Sequence, residues 1–332
     1  MIANENERPK ITVIGGGTGL PVLLSGLKEA NCDVTAIVTV ADDGGSSGAI
    51  RNSVKTIPPG DIRNCLVALS NIEDIYKDIF QYRFAPEDQE FSGHAIGNLI
   101  IAALAEMRGD VYAALKLLAM MMDVQGQVLP AAEEPLVLQA HFQDGSFIEG
   151  ETSIVAKRQA IDKIGVRVVD GYEARRPHAG RGVLKAIETA DFIILGPGSL
   201  YTSILPNLVI DEIRQAILDT PAQLLYICNI MTQIGETEHF SDADHVRVIN
   251  SHLGQNRVDY ILANNAVVPK AYINRPETPE YLVQVSHDSV GLADQGIQLV
   301  EADFLALEDK GVYHDRRKLV NEILKIYRRH YK

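Results

Sequence analysis

The chain has 332 residues, of which 46% are apolar and 23% charged, the composition of a globular protein with a sizeable core. Its net charge of −13 disfavours nucleic-acid partners, and the basic stretch YRRHYK is more typical of a solvated helix end. No apolar run reaches transmembrane length, and no signal peptide is visible. Cys32, Cys65 and Cys228 lack Cys-x-x-Cys spacing. We therefore expect a cytoplasmic protein without a membrane span, disulfide frame or zinc site.

Runs rich in Val and Ile alternate with segments of helical periodicity, which is typical of a parallel sheet covered by helices. Strands are predicted near 10–15, 34–40, 191–195, 223–229 and 258–263. Helices are predicted near 20–30, 61–70, 93–107, 110–122, 181–190, 205–219, 242–253 and 315–329. The pattern predicts a Rossmann-like, doubly wound α/β fold with a mostly parallel sheet.

Residues 124–176 depart from this pattern. The stretch PLVLQAHFQDGSFIEGETSIV alternates apolar and polar residues around an Asp-Gly turn at 144–145, which predicts a hairpin or meander. We interpret it as a β-rich segment inserted in the middle of the fold. The length allows one large domain or two closely associated ones. We treat residues 1–332 as a single large domain.

The first predicted strand leads into the loop GGGTG at 15–19 and a helix beginning near Leu20. Such a junction presents backbone N–H groups and the partial positive charge of a helix N-terminus, which bind anions. Glycine lets a phosphate approach the backbone. The match to the dinucleotide fingerprint is incomplete because Leu20 takes the place of its third glycine. A tight turn without a ligand is the alternative interpretation.

The second predicted strand ends in Asp42 and Asp43, where a Rossmann unit carries the carboxylate that accepts ribose hydroxyls. One of these carboxylates can instead hold Mg²⁺ beside a pyrophosphate, since Mg²⁺ takes one or two carboxylates plus phosphate oxygens and water. The sequence does not choose between sugar and metal. The glycines and serines of ADDGGSSGAIRN predict irregular structure after the strand.

Two further loops precede predicted helices. In IPPGDIRNCL, Asp61 is expected to cap the helix, and Arg63 and Asn64 fall in its first turn, where an arginine can grip a phosphate or form a surface salt bridge. In FSGHAIGNL, Asn98 lies at a helix start, and we interpret His94 as structural.

Polar residues also follow the later strands. After the run DFIIL come Gly198, Ser199, Tyr201, Thr202 and Ser203, whose amides and hydroxyls suit a second polar or anionic group. Asn229 and Asn264 close two further strands. Because ligands of doubly wound sheets bind at the carboxyl ends of the strands, these loops predict one cleft suited to a nucleotide diphosphate.

Six motifs in order, GGGTGL, ADDGGSSG, PPGDIRNCL, GHAIGNL, GPGSLYTSILPNL and CNIMTQIGET, resemble the bacterial gluconeogenesis factor family (YvcK type), relatives of 2-phospho-L-lactate transferase. The resemblance covers about residues 10–325. It implies a cytoplasmic regulator that binds a UDP-sugar such as UDP-N-acetylglucosamine, or NAD, and supports cell shape and wall synthesis on gluconeogenic carbon. It also implies that Arg316, in YHDRRKL, reaches the diphosphate or sugar.

The candidate nucleotide-binding residues are Gly16, Gly17, Thr18, Gly19, Asp42, Asp43, Arg63, Asn64, Asn98, Gly198, Ser199, Tyr201, Thr202, Ser203, Asn229, Asn264 and Arg316. Asp42 is the candidate Mg²⁺ ligand, and we assign no catalytic residue. Expected partners are the nucleotide ligand, cell-wall or metabolic proteins, and further copies of the chain in a homo-oligomer.

Two enzymatic alternatives stay open. The transferase relatives move phospholactate from a guanosine diphosphate carrier with a divalent metal, so the chain can instead be a metal-dependent transferase with an aspartate on the metal and Arg63 on the moving group. An NAD-dependent oxidoreductase is the weaker alternative, because the third fingerprint glycine and a catalytic His or Tyr-x-x-x-Lys pair are missing.

Overall fold

The architecture was taken from a computed structural model, which describes residues 8–54, 56–85, 87–88, 91–169, 175–273, 281–308 and 311–331. The strands are β1 Lys10–Gly15, β2 Asp33–Val38, β3 Gln127–Pro130, β4 Leu136–Phe142, β5 Phe147–Glu149, β6 Ile161–Val168, β7 Phe192–Leu195, β8 Gln223–Ile227, β9 Met231–Gln233, β10 Tyr260–Asn264, β11 Tyr281–Gln284, β12 Gln298–Ala302, β13 Leu305–Glu308 and β14 Gly311–His314.

The helices are α1 Gly19–Glu29, α2 Gly45–Val54, α3 Gly60–Leu69, α4 Asp74–Gln81, α5 Ile96–Arg108, α6 Val111–Met121, α7 Glu151–Lys157, α8 Val183–Glu188, α9 Leu205–Leu208, α10 Asp211–Asp219, α11 Asp242–Leu253, α12 Ser289–Asp294 and α13 Arg316–Tyr331. A π-helical turn, Leu200–Ile204, precedes α9, and a 3₁₀ turn occupies Lys270–Tyr272. Among the described residues, no helix has both the length and the apolar character needed to cross a membrane.

The main sheet has seven parallel strands in the order β12-β10-β8-β7-β1-β2-β3. The chain first builds outward from β1 to β3, then returns to the other side of β1 with β7, β8, β10 and β12. The strand order therefore reverses between β1 and β7, which is where open α/β sheets bind ligands. The Rossmann-like, doubly wound fold predicted from the sequence is confirmed.

The central strands are covered on both faces. In β1 and in β2 every residue after the first is buried. Helix α1 buries Leu20, Leu23, Leu24 and Leu27, an i, i+3, i+4, i+7 stripe, in the main hydrophobic core. This spacing explains why the segment after the glycine loop forms a helix that presents its N-terminus at the carboxyl edge of β1.

The predicted β-rich segment forms its own antiparallel sheet in the order β5-β4-β6. Its hairpin turns at Asp144-Gly145, where Gly145 has a φ of +82° that favours glycine. The short helix α7, which the alternating pattern does not predict, lies between β5 and β6. Strand β3 leaves this segment and pairs with β2 at the edge of the main sheet.

Two local predictions were wrong. The segment after Asp43 is not irregular but forms helix α2, because Arg51 is buried and donates from Nη1 to the carbonyl oxygens of Asp42 and Leu136 at 3.0 Å each. A Cβ on Gly48 would lie 2.0 Å from the Asp43 carbonyl oxygen, so the glycine permits this turn. The predicted helix 205–219 is two helices, and the side chain of Asn207 donates to the carbonyls of Ser203 and Ile204 before the break.

The three cysteines are free and buried. Burial raises the pKa of the Cys32 thiol to about 11 and raises the pKa values of Cys65 and Cys228 further. All three side chains belong to the main hydrophobic core.

We expect Arg257→Lys to lower the free energy of unfolding by about 3 kcal/mol. A lysine ammonium cannot replace all the hydrogen bonds of the guanidinium, so buried carbonyl oxygens are left unpaired. The Arg257 guanidinium donates to the carbonyl oxygens of Ile217, Thr220 and Ala222 at 2.5–3.2 Å, where α10 ends and β8 begins, and Nη1 donates to Asp259 at 2.7 Å. Urea denaturation measures the change.

The control for this prediction is Arg247→Lys, whose exposed guanidinium pairs with Asp244 three residues before it. Its cost is expected at about 0.5 kcal/mol or less. Equal costs for the two substitutions would contradict the structural role of Arg257.

Candidate functional site

A cavity of about 390 Å³ opens where the strand order reverses, between the loops that follow β1 and β7. The two loops touch through their backbones: a Cβ on Gly19 would lie 3.0 Å from the Pro197 carbonyl oxygen, and one on Gly198 would lie 3.0 Å from that of Gly16. A Cβ at either position would crowd the backbone of the other loop. Eight of the predicted site residues line the cavity, namely Gly17, Thr18, Gly19, Gly198, Ser199, Thr202, Ser203 and Asn229.

The glycine loop is held by a carboxylate from within the chain. The Gly17 amide donates to Oδ2 of Asp61 at 2.6 Å, and a Cβ on Gly16 would lie 2.7 Å from the same oxygen and 2.6 Å from Cγ2 of Thr39. The Gly17 amide is therefore not among the unpaired donors that the sequence suggests. Thr18 occupies the N-cap of α1 without a side-chain capping bond, so the helix N-terminus at Gly19 keeps its donors for the cavity.

Asp61 was predicted to cap α3, but the N-cap of that helix is Pro59 and Asp61 lies in the first turn. Burial raises the pKa of the Asp61 carboxyl, the nearby Asp42 raises it further, and the Gly17 amide and Arg63 oppose the rise. The sequence signal, an acidic residue after Pro-Pro-Gly, is explained equally well by a cap. That is why the contact with the glycine loop was missed.

Glu151, the first residue of α7, is a cavity-lining carboxyl that sequence reasoning did not select. Burial raises its pKa to about 9, helped by the charge of Asp42, by a hydrogen bond shared with Asp42, and by the charges of Asp61 and Asp43. Oδ1 of Asp42 accepts from the Gly44 amide at 2.8 Å. The carboxyl groups of Glu151 and Asp42 are thus held close together.

Asp43 has a structural role within this arrangement. Its Oδ1 accepts from the backbone amide of Thr152 at 2.9 Å and from the Thr152 hydroxyl at 2.7 Å. Asp43 thereby ties the loop after β2 to the first turn of α7, and it does not line the cavity. These bonds bring Glu151, from the β-rich segment, to the edge of the main sheet.

One wall of the cavity, which we call the neutral wall, consists of uncharged side chains. The Asn229 side chain donates to Gln233, which donates to the Ser199 hydroxyl, and Ile230 and Met231 lie between the two amides in sequence. His314 also lines the cavity, and its Nε2 lies 3.0 Å from the Cys228 carbonyl oxygen. Burial lowers the pKa of His314 to about 4, so its ring is neutral at pH 7.

Three predicted residues form a separate network beside the cavity. Arg63, which is buried, donates from Nη1 to Oδ1 of Asn98 at 2.9 Å and from Nη2 to Oδ1 of Asn64 at 2.7 Å. Asn98 in turn donates to the Ser46 hydroxyl, which contacts Nδ1 of His94 at 3.0 Å. Burial lowers the pKa of Arg63 to about 10. Within the described chain, its Nε is buried without a partner.

Three other predicted residues lie away from the cavity. Tyr201 is buried in the core, with its hydroxyl 3.4 Å from the Ile161 carbonyl oxygen. Both ends of the Asn264 side chain are used, because Nδ2 donates to the Ala266 carbonyl and Oδ1 accepts from the Phe304 amide. Arg316 packs on α1, where Nη1 donates to the Ser25 hydroxyl at 2.9 Å and pairs with Glu29 at 3.2 Å. The residues before it, 312–314, line the cavity instead.

The charge of the cavity is unusual for an anion site. Of the described residues that line it, none is Lys or Arg, and Glu151 is the acidic one. An anion here meets backbone amides, hydroxyls and the N-terminus of α1 rather than a cationic side chain. Within the described ranges, no group of three or more His, Cys, Asp or Glu side chains is arranged to hold a metal ion.

The fold and the position of the cavity define a doubly wound, Rossmann-like α/β protein. The model of the 2-phospho-L-lactate transferase CofD family matches residues 11–305, and the chain belongs to this family. It is 49% identical over 322 residues to the "Putative gluconeogenesis factor" of Streptococcus pyogenes serotype M3, covering 97% of this chain and 98% of the relative.

Two further comparisons agree. The chain is 45% identical over 320 residues to the gluconeogenesis factor of Listeria monocytogenes, covering 96% of each. A crystal structure of a Bacillus halodurans protein superposes with a TM-score of 0.90 at 38% identity, covering 96% of this chain and 100% of that one. The family resemblance carried by the six sequence motifs is confirmed.

We expect Glu151→Gln to raise the melting temperature at pH 8 and to have little effect near pH 4. A carboxyl whose pKa rises from 4.5 to about 9 on folding destabilises the folded state increasingly as the pH rises between those values, and the amide removes this penalty. Thermal denaturation across pH 4–9 measures the difference.

Glu149→Gln in the same segment is the matched control with the opposite sign. Arg167 donates to both carboxylate oxygens of Glu149 and holds its pKa near 2. Its contribution is present above pH 4.5 and is lost as the pH falls towards 2, so this variant melts lower at pH 8. A Glu151→Gln variant that melts lower than the parent at pH 8 would contradict the proximity of the carboxyls.

Proposed function

We propose that this protein binds a UDP-sugar, such as UDP-N-acetylglucosamine, or NAD in the cavity between its two glycine-rich loops. The observation that supports this most directly is the N-terminus of the eleven-residue helix α1, without a side-chain cap, at the point where the strand order reverses. That position and those donors suit the diphosphate of a nucleotide.

The biological role that we propose is regulatory. The relatives from Streptococcus and Listeria carry the name gluconeogenesis factor, and the cavity presents donors for binding without a recognisable nucleophile and base. The protein would sense its nucleotide ligand in the cytoplasm and act on cell-wall or metabolic proteins, supporting cell shape and wall synthesis on gluconeogenic carbon.

Magnesium fits this site through few protein ligands. Mg²⁺ keeps several waters and takes one or two carboxylates together with phosphate oxygens, so it does not need three acidic side chains. Asp42, hydrogen-bonded to Glu151 beside the glycine loop, would hold it. When bound, the ion would supply the positive charge that the cavity lining lacks, and it would offset the repulsion between a diphosphate and these carboxyls.

A metal-dependent transferase is the second candidate, favoured by the family match and by Arg63. This buried guanidinium donates to two asparagine side chains, and its Nε has no partner among the described residues. A buried cation with an unused donor suits an anionic group of a substrate. In this alternative, Asp42 would hold the metal and Arg63 would bind the group that moves.

Thermal shift with UDP-N-acetylglucosamine, UDP, GDP and NAD, each with and without Mg²⁺, tests the proposal. A ligand at 100 times its Kd adds about 2.7 kcal/mol to the free energy of unfolding, which raises the melting temperature by several degrees. We expect the UDP-sugar to give this rise, and Asp42→Asn to remove the part that depends on Mg²⁺.

Asp74→Asn, in the exposed first turn of α4, is the control and should leave the rise unchanged. A melting temperature that none of these nucleotides raises would overturn the proposal. Phosphorus NMR of the incubated ligand separates the two candidates: a regulator returns its nucleotide intact, whereas a transferase releases a new phosphorus species when an acceptor is supplied.

A further inference from the structure

The neutral wall of the cavity carries a chain of hydrogen bonds. Nδ2 of Asn229 donates to Oε1 of Gln233 at 3.1 Å, and Nε2 of Gln233 donates to Oγ of Ser199 at 2.8 Å. All three residues line the cavity. In this arrangement each donor in the chain meets an acceptor.

This arrangement leaves hydrogen-bond donors at one end of the chain. Because the Ser199 oxygen accepts from Gln233, its own hydrogen is available to a ligand. The amide nitrogen of Gln233 has a second hydrogen beyond the one given to Ser199. Two neighbouring donors can meet on one carbonyl oxygen, which has two lone pairs. Hydrogen bonds in series also polarise one another and strengthen the terminal donors.

The surroundings of this chain suit a flat, uncharged group. Ile230, Met231 and Val312 line the cavity and form a small hydrophobic cluster of their own, separate from the main core. A nucleobase has apolar faces and a polar edge, whereas a diphosphate suits the amides at the N-terminus of α1. We therefore expect the phosphates at Gly19 and the base at Gln233.

We propose that Gln233 and Ser199 are specificity-determining residues that donate to a ring carbonyl oxygen of the base. This inference rests on the UDP-sugar form of the proposed function, since it assumes a nucleoside diphosphate in the cavity, and it disfavours NAD, whose base is adenine. Uracil and guanine carry such an oxygen, and adenine carries an amino group and ring nitrogens instead. With adenine, the two donors face another donor, and a polar group left unpaired in a closed site costs affinity steeply.

Calorimetric titration of UDP, GDP and ADP at fixed Mg²⁺ and salt tests the proposal, since UDP and ADP share the same ribose and diphosphate. The parent protein should bind UDP and GDP at least about tenfold more tightly than ADP, the ratio expected for one lost hydrogen bond. Gln233→Glu keeps the shape but removes the donor, and should bring the ratio of the ADP and UDP dissociation constants to within about twofold.

Two further variants and one control complete the test. Gln233→Met removes the donor without adding a negative charge and should reduce the ratio in the same way, while Ser199→Ala should reduce it in part. Gln298→Glu, on the exposed edge strand β12, adds the same charge far from the cavity and should leave the ratio unchanged. Because each result is a ratio between two diphosphates, a general loss of affinity cancels.

Equal binding of UDP and ADP by the parent protein would overturn this inference and leave the proposed function standing. A ratio that survives both Gln233 substitutions would do the same. A parent protein that binds none of the three nucleotides would overturn the proposed function, and the inference with it.

Discussion

The site depends on the hydrogen bond from the Gly17 amide to the buried carboxyl of Asp61. It joins the loop after β1 to the first turn of α3, 44 residues later, and fixes the loop at the carboxyl edge of the sheet. The bond also places one carboxyl directly beneath the glycine backbone, with Asp42 and Glu151 close enough to influence it and one another. The conformation of the glycine loop is thus held by the buried Asp61 carboxyl and does not require a ligand.

Two opposite electrostatic effects act on an anion at this loop. The α1 N-terminus attracts an anion, whereas the carboxyls repel it, and the cavity lining described here has no cationic side chain to decide between them. A protonated Glu151 or a bound cation reduces the repulsion, and both are chemically available at neutral pH. The same arrangement is compatible with either candidate function, a regulator or a transferase.

The sequence pattern predicted the features that depend on interactions between residues close together in the chain. The buried strands, the glycine-rich loops and the helices after them follow from periodicity and turn residues, and the loops converge because the strands are parallel. The partners of Asp43, Asp61 and Arg316 lie 109, 44 and 291 residues away, so the carboxyl cluster, the glycine-loop contact and the position of Arg316 on α1 depend on tertiary packing. Helix α2 formed for the same reason, since Arg51 and the tight turn at Gly48 outweigh its glycine and serine content.

The reactivity of the three buried cysteines depends on how often the fold around each of them opens. A thiol reacts as the thiolate, and in the closed fold both accessibility and ionisation are suppressed at Cys32, Cys65 and Cys228. They sit in different regions: at the end of α1, within α3 and just beyond β8. An oxidant therefore reaches each sulfur only as often as its own part of the fold unfolds, so chemical damage follows local stability rather than surface exposure.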